Sequence, residues 1–295
     1  MREQGPIIVP LDGSELAEGA LPYAVALARA LESRVALVCV WEGNDSELAA
    51  ALPSVAMEIE SGAREYFGAY LRKLEARLFE GVPVQAEVRE GDAANEIERA
   101  AEDLGARAIV IGTHGRSGIG RWLYGSTASR ILRNATIPVM AVGPHALQHP
   151  RGEVTFSHLM APLDGTPMSE AALPVAARIA HATAARLSLV RVVRWAVQSY
   201  PYTLPDAYIP QVDEELEKAA KVYLQRKESE MGAGVRAFVV RGAVADGLLD
   251  FEEKESVDLV VMSTHARTGL ARAALGSTAD RMIQGPAPVL LLRPE

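Results

Sequence analysis

Two short stretches of this sequence carry residues suited to holding a phosphate or another small anion. One is Pro10-Leu11-Asp12-Gly13-Ser14. The other opens with Gly112-Thr113-His114-Gly115 and, nine residues later, continues as Gly125-Ser126-Thr127. Glycine admits positive φ and lets the backbone come close to a ligand. A Gly-Ser-Thr run opening a helix offers free amides, the positive end of the helix dipole and two hydroxyls to an anion. A lone Gly-x-x-Gly is usually only a tight turn. Here two strand ends, a glycine loop and a helix start converge.

Both stretches recur later in the chain. The first returns as Pro162-Leu163-Asp164-Gly165-Thr166. Residues 113–130, THGRSGIGRWLYGSTASR, return over 264–281 as THARTGLARAALGSTADR. Two matches at nearly the same offset identify a duplication. The 295 residues then suit two domains of ordinary size, ~100–200 residues each. The expected division is 1–146 and 158–295, with a polar, proline-bearing linker over 147–157.

Each copy reads as strands alternating with helices. Short apolar runs predict strands over 7–11, 35–40, 84–88, 108–111 and 139–142, and in the second copy over 159–163, 187–193, 235–240, 259–262 and 289–292. The runs are continuous rather than alternating, as in strands buried on both faces of a parallel sheet. Ser14 is placed to cap a helix carrying Leu16, Ala20, Tyr23, Ala24, Leu27 and Leu31, which Pro22 either kinks or starts. Further helices are expected over 57–79, 93–104 and 212–231, and 43–55 reads as loop. The fold class is therefore α/β, two tandem doubly wound parallel five-stranded sheets of Rossmann-like type. In such sheets ligands bind beyond the carboxyl ends of the strands, where the winding reverses.

Composition narrows the function. With 30 Lys and Arg against 38 Asp and Glu, the formal net charge is −8, which argues against coating a nucleic acid. Cys39 is the single cysteine, so neither an internal disulfide nor a cysteine-based zinc site is available, and a buried strand thiol is expected. No apolar run is long enough for a membrane span, and the first residues lack the apolar core of a signal peptide, so a cytoplasmic location is expected.

The motif Gly112, Gly115, Gly125 and Ser126 resembles the nucleotide motif of the universal stress protein family, and the tandem likeness covers nearly the whole chain. The resemblance implies an adenine nucleotide alpha hydrolase-like fold and ATP, or ADP or AMP, bound between the first and fourth strands. By that likeness Asp12 lies near the base, with Pro10 and Leu11 lining the pocket and the Val40 backbone meeting adenine. Gly112 lies by the ribose, and Gly115, Arg116, Gly125, Ser126 and Thr127 surround the phosphates, with His114 at the pocket edge. The corresponding second-copy positions are Pro162, Leu163, Asp164, Val192, Ser263, His265, Ala266, Gly276, Ser277 and Thr278. Ser263 and Ala266 depart from the glycine pattern, and a methyl group at a left-handed position costs roughly 1–2 kcal/mol. The resemblance also implies that the two final strands pair, giving an internal pseudo-dimer, with an unidentified protein partner and homodimerisation left open.

Chemistry beyond binding has thinner support. His114 and His265 recur, and ordering a loop suits them better than catalysis. Arg116 and Arg267, like Arg121 and Arg272, suit either a γ-phosphate or plain solvent. Neither a Gly-x-x-x-x-Gly-Lys run nor a Ser-Gly-Gly-x-Asp-Ser or His-x-Gly-His signature occurs. Asp12 can meet Mg²⁺ through a bound triphosphate, though hard cations want further oxygen ligands. Two alternatives stand beside nucleotide-dependent regulation: an interaction module with vestigial pockets, and a slow ATPase.

Overall fold

The computed structural model describes residues 4–43, 50–78, 81–113, 124–147, 153–195, 209–264 and 275–293. The chain divides into two compact units, Met1–Val154 and Thr155–Glu295. No helix among the described residues is long and apolar enough to cross a membrane.

In the first unit β1 (Ile7–Leu11), β2 (Val35–Trp41), β3 (Val84–Glu90), β4 (Ala108–Gly112) and β5 (Val139–Val142) lie in the order β3-β2-β1-β4-β5. All of these pairings are parallel. The helices are α1 (Glu15–Glu18), α2 (Leu21–Ala30), α3 (Pro53–Leu78), α4 (Ala93–Asp103), α5 (Ser126–Asn134) and α6 (Pro144–Leu147). The second unit repeats the plan. Its strands β6 (His158–Pro162), β7 (Arg186–Val193), β8 (Val235–Arg241), β9 (Leu259–Ser263) and β10 (Val289–Leu292) run in the order β8-β7-β6-β9-β10. They too pair in parallel. Its helices are α7 (Pro167–Glu170), α8 (Leu173–Thr183), α9 (Ile209–Met231), α10 (Val244–Lys254) and α11 (Ser277–Ile283).

The doubly wound parallel sheet expected in each copy is the one observed. Every residue of β1 and β5 is buried, as strands covered on both faces require. The chain winds from β1 outward through β2 and β3, then crosses to β4 on the other side. The reversal sets the ends of β1 and β4 side by side, which brings Asp12 and Gly112 to one edge.

The helices depart from expectation in instructive places. The helix anticipated from Leu16 to Leu31 is broken into α1 and α2, and Pro22 occupies the first turn of α2. A proline there loses nothing, because that turn has no acceptor for its N–H. The long helix α3 starts at Pro53, inside the stretch read as loop, and α9 starts at Ile209, earlier than its apolar spacing suggested. The chain entering the expected linker forms α6, whose Ala146 carbonyl accepts a hydrogen bond from the Tyr23 hydroxyl at 3.1 Å. Cys39 is buried, and burial, with the Asp12 carboxylate adding, pushes its thiol up to about 12.

One core position is chemically unusual. Glu252 of α10 is 0% exposed. Its Oε1 accepts from the Ala287 amide at 2.5 Å, and Oε2 has no hydrogen-bond partner among the described residues. Burial pushes this carboxyl up to about 7, against the weaker pull of the Ala287 amide. An acid whose folded pKa exceeds its unfolded one binds its proton preferentially in the folded state. Stability therefore falls as pH rises from the ordinary glutamate value of about 4.3 toward 7, and stays lost above that. Glu252→Gln keeps an oxygen for the Ala287 amide and cannot ionise. Chemical denaturation should show the variant close to wild type near pH 5 and roughly 2–3 kcal/mol more stable near pH 8.5. Parallel pH profiles for the two proteins would mean that Glu252 does not titrate in the fold.

Candidate functional site

The edge of the first unit is built by turn chemistry. Asp12 Oδ1 accepts from the Ser14 amide at 2.9 Å, and Gly13 between them takes φ +81°, which a side chain would strain. Ser14 caps α1, its hydroxyl accepting from the Ala17 amide at 3.1 Å. One turn of helix cannot hold itself, so this cap and tertiary contacts set its place. Gly112 ends β4 directly beneath α1. A Cβ on Gly112 would stand 3.0 Å from the Leu16 carbonyl oxygen and 3.6 Å from Leu147 Cδ1. Space is what this glycine supplies.

Across the edge, the Thr113 carbonyl accepts from the Gly125 amide at 3.0 Å. That bond ties the end of β4 to the start of α5. Gly125 precedes α5 with φ −51° and ψ 150°, a conformation open to any residue. Its glycine is thus not required for positive φ. The first-turn amides of α5 lack partners within the helix and face the same edge.

These elements enclose a cavity of about 270 Å³. Pro10, Leu11, Asp12, Val40, Gly112, Gly125, Ser126 and Thr127 all line it, so the sequence-predicted residues within the described chain come together. His114, Gly115 and Arg116 lie outside the described residues, as do His265 and Ala266. Ser14 of the first stretch lines it too, as do Ala17, Val38, Ala93, Ile97, Ile111 and Ala128, which the motifs did not single out. Two of these had a signal in the sequence. Val38 precedes Val40 by two residues and so shares its face, and Ile97 follows Ala93 by four on α4. The cavity is apolar at its Val38, Ile97 and Ile111 wall and polar toward Asp12 and α5. Asp12 is its one ionisable side chain among the described residues.

The second unit has a cavity of about 340 Å³ at the equivalent edge. Pro162, Leu163, Asp164, Val192, Ser263, Gly276, Ser277 and Thr278 line it, together with Met168, Ser169, Val190, Val244, Leu248 and Met262. Its chemistry differs. Asp164 Oδ1 accepts from both the amide and the hydroxyl of Thr166, at 2.9 and 2.6 Å. Burial draws the Asp164 carboxyl upward, but hydrogen bonds from Thr166 and Ser169 outweigh it and hold the group below the ordinary range. Gly276 takes φ +92°, unlike Gly125. Thr264 donates through its hydroxyl to the Leu275 carbonyl at 2.9 Å. The helix that follows, α11, has 7 residues where α5 has 9.

Among the described residues no group of three or more His, Cys, Asp and Glu side chains is placed to hold a metal ion. Asp12 therefore supplies at most one carboxylate to a cation that arrives with other ligands.

Fold and site together define a tandem pair of doubly wound α/β units, each with a cavity where the winding reverses. The universal stress protein family model matches residues 5–143 and again 155–293. The chain belongs to the universal stress protein family, with two copies of the family domain in tandem. A universal stress protein of Mycolicibacterium smegmatis is 30% identical over 221 residues, covering 72% of this chain and 70% of that protein. One of Methanocaldococcus jannaschii is 34% identical over 139 residues, 46% of this chain and 80% of its own length. The fold matches the crystal structure of a universal stress protein from Archaeoglobus fulgidus DSM 4304 with a TM-score of 0.69 at 19% identity, over 98% of each chain.

The contact beneath α1 gives a direct test. Gly112→Ala forces the new methyl group against a backbone carbonyl rather than a movable side chain. Its urea midpoint should fall by the equivalent of roughly 1–2 kcal/mol. An unchanged midpoint would show that α1 moves aside freely.

Proposed function

We propose that the first unit binds an adenine nucleotide, ATP with ADP and AMP as competitors, and that the protein acts as a nucleotide-dependent regulator. The observation that carries this reading is the convergence of Asp12, Gly112 and the first turn of α5 in one cavity with an apolar wall. The wall suits a base, which is flat and largely apolar on its faces. Asp12 is exposed and accepts a hydrogen bond from the Ser14 amide on Oδ1, leaving acceptor capacity for ribose or base donors. Ser126 and Thr127 offer amides and hydroxyls to phosphate oxygens. The residues fit such a ligand. Any Mg²⁺ would enter with the triphosphate, with Asp12 as its one carboxylate from the described lining.

The reading is binding rather than turnover, because the described lining holds no paired nucleophile and base. Occupancy can act on a protein partner only if nucleotide favours one conformation of the protein over another. The second cavity is proposed as the weaker site. Asp164 is committed to Thr166 and Ser169, and Ser263 replaces the bare glycine.

Denaturing the purified protein and identifying released small molecules by mass spectrometry, followed by ATP titration, tests this. About one tightly held adenine nucleotide per chain is expected. Asp12→Ala should weaken that site about tenfold or more, the loss of one or two hydrogen bonds to a charged acceptor, and ATP turnover should stay at background in both proteins. No retained nucleotide and no binding on titration would favour the interaction module instead. Two sites of equal affinity would refute the ranking of the cavities.

A further inference from the structure

Both units contain the same tyrosine–glutamate hydrogen bond, which belongs to no motif and to the lining of neither edge cavity. In the first unit the Tyr70 hydroxyl on α3 donates to Glu18 Oε1 on α1 at 3.0 Å. In the second, the Tyr223 hydroxyl on α9 donates to Glu170 Oε1 on α7 at 2.9 Å. All four side chains are half-buried. Each acceptor ends the one-turn helix that follows the Asp-Gly turn, and each donor lies on the long helix.

The short helix forms the rim of its cavity. Ser14 and Ala17 line the first cavity, and the Leu16 carbonyl sits over Gly112. Met168 and Ser169 do the same in the second. A helix of 4 residues has no stability of its own. Its amino end is held by the Ser14 or Thr166 cap, and its carboxyl end is where the tyrosine reaches it. Burial, followed by the Glu18 acceptor, raises the Tyr70 hydroxyl above its ordinary value, so it remains a donor throughout the physiological range. Burial and Glu170 act likewise on Tyr223.

The surroundings of the two pairs differ. Leu74, one turn beyond Tyr70, is buried and apolar. The residue one turn beyond Tyr223 is Lys227, whose Nζ lies 2.8 Å from Glu170 Oε2. The Arg191 guanidinium also stands 5.0 Å from the Tyr223 ring centre. The second glutamate therefore has a charged partner besides its tyrosine, and among the described residues the first is held by the tyrosine without such a cation.

We propose that Tyr70 and Tyr223 are positioning residues, each clamping through its glutamate the short helix that forms the ligand-facing rim of its unit, with the first clamp the more dependent on its single hydrogen bond. The choice of ligand rests on the nucleotide reading above; the clamp itself does not.

The test uses the full chain with methylanthraniloyl-ATP as probe and two readouts, probe dissociation rate and amide hydrogen exchange. Tyr70→Phe and Glu18→Ala should each speed dissociation from the tight site about tenfold and speed exchange across residues 14–20. Glu18→Gln should stay near wild type, since its amide oxygen still accepts. Tyr223→Phe should leave the tight site unchanged and alter exchange over 167–172 less than Tyr70→Phe alters 14–20. A lowered melting temperature in Tyr70→Phe without a faster rate would mean simple stabilisation and would overturn the proposal. If wild type binds no probe, the nucleotide reading falls, and exchange alone decides: unchanged exchange at 14–20 in Tyr70→Phe sinks the clamp.

Discussion

A parallel sheet buried on both faces leaves its backbone no neighbour but other strands and no route home except over a covering helix. That constraint shapes each unit of this protein. The apolar runs of β1, β2, β4 and β5 are short because each need only cross the buried layer, and they are continuous because neither face meets water. Every strand then ends at the same edge. The loops there are the part of each unit free to differ chemically, and the cavities lie among them.

The edge illustrates how little regular structure a site requires. One turn of helix, an Asp-Gly turn at positive φ and a glycine without room for a side chain set the first rim. None of these elements is stable alone. Each is over-determined by its neighbours: the Ser14 cap, the Leu16 carbonyl above Gly112, and the hydroxyl of Tyr70 from a helix far along the chain. The cap and the tyrosine recur in the second unit as Thr166 and Tyr223.

Duplication kept the architecture while the chemistry moved apart. Asp12 and Asp164 occupy the same turn, yet the second is tied up by Thr166 and Ser169. Where α4 buries Ala101, α10 buries Glu252 with a raised carboxyl pKa. Where β2 carries the buried thiol of Cys39, β7 carries Arg191, whose guanidinium packs against Gly165 and over Tyr223. A shared backbone plan tolerates such exchanges because sheet and crossover helices depend on apolar burial summed over many positions, not on any one of them.

The repeat, the βαβ alternation with its doubly wound parallel sheet, and the residues at the ends of β1 and β4 were all legible in the sequence. Periodicity and glycine placement are local properties, and duplication printed them twice. The starts of α3 and α9 were less so, since a proline in the first turn reads alike as breaker or beginning. The reason for Gly112 was hidden as well: the sequence showed a glycine, and only packing showed that a carbonyl oxygen occupies the space a methyl group would need. Val38 and Ile97 could be placed beside the site by period alone, but the tyrosine–glutamate bonds could not, because 52 or 53 residues separate their partners. Local spacing determined the elements and the edge at which a ligand would sit. The rim's geometry, the engagement of Asp164 and the burial of Glu252 were decided by tertiary structure, since each depends on atoms brought together from distant parts of the chain.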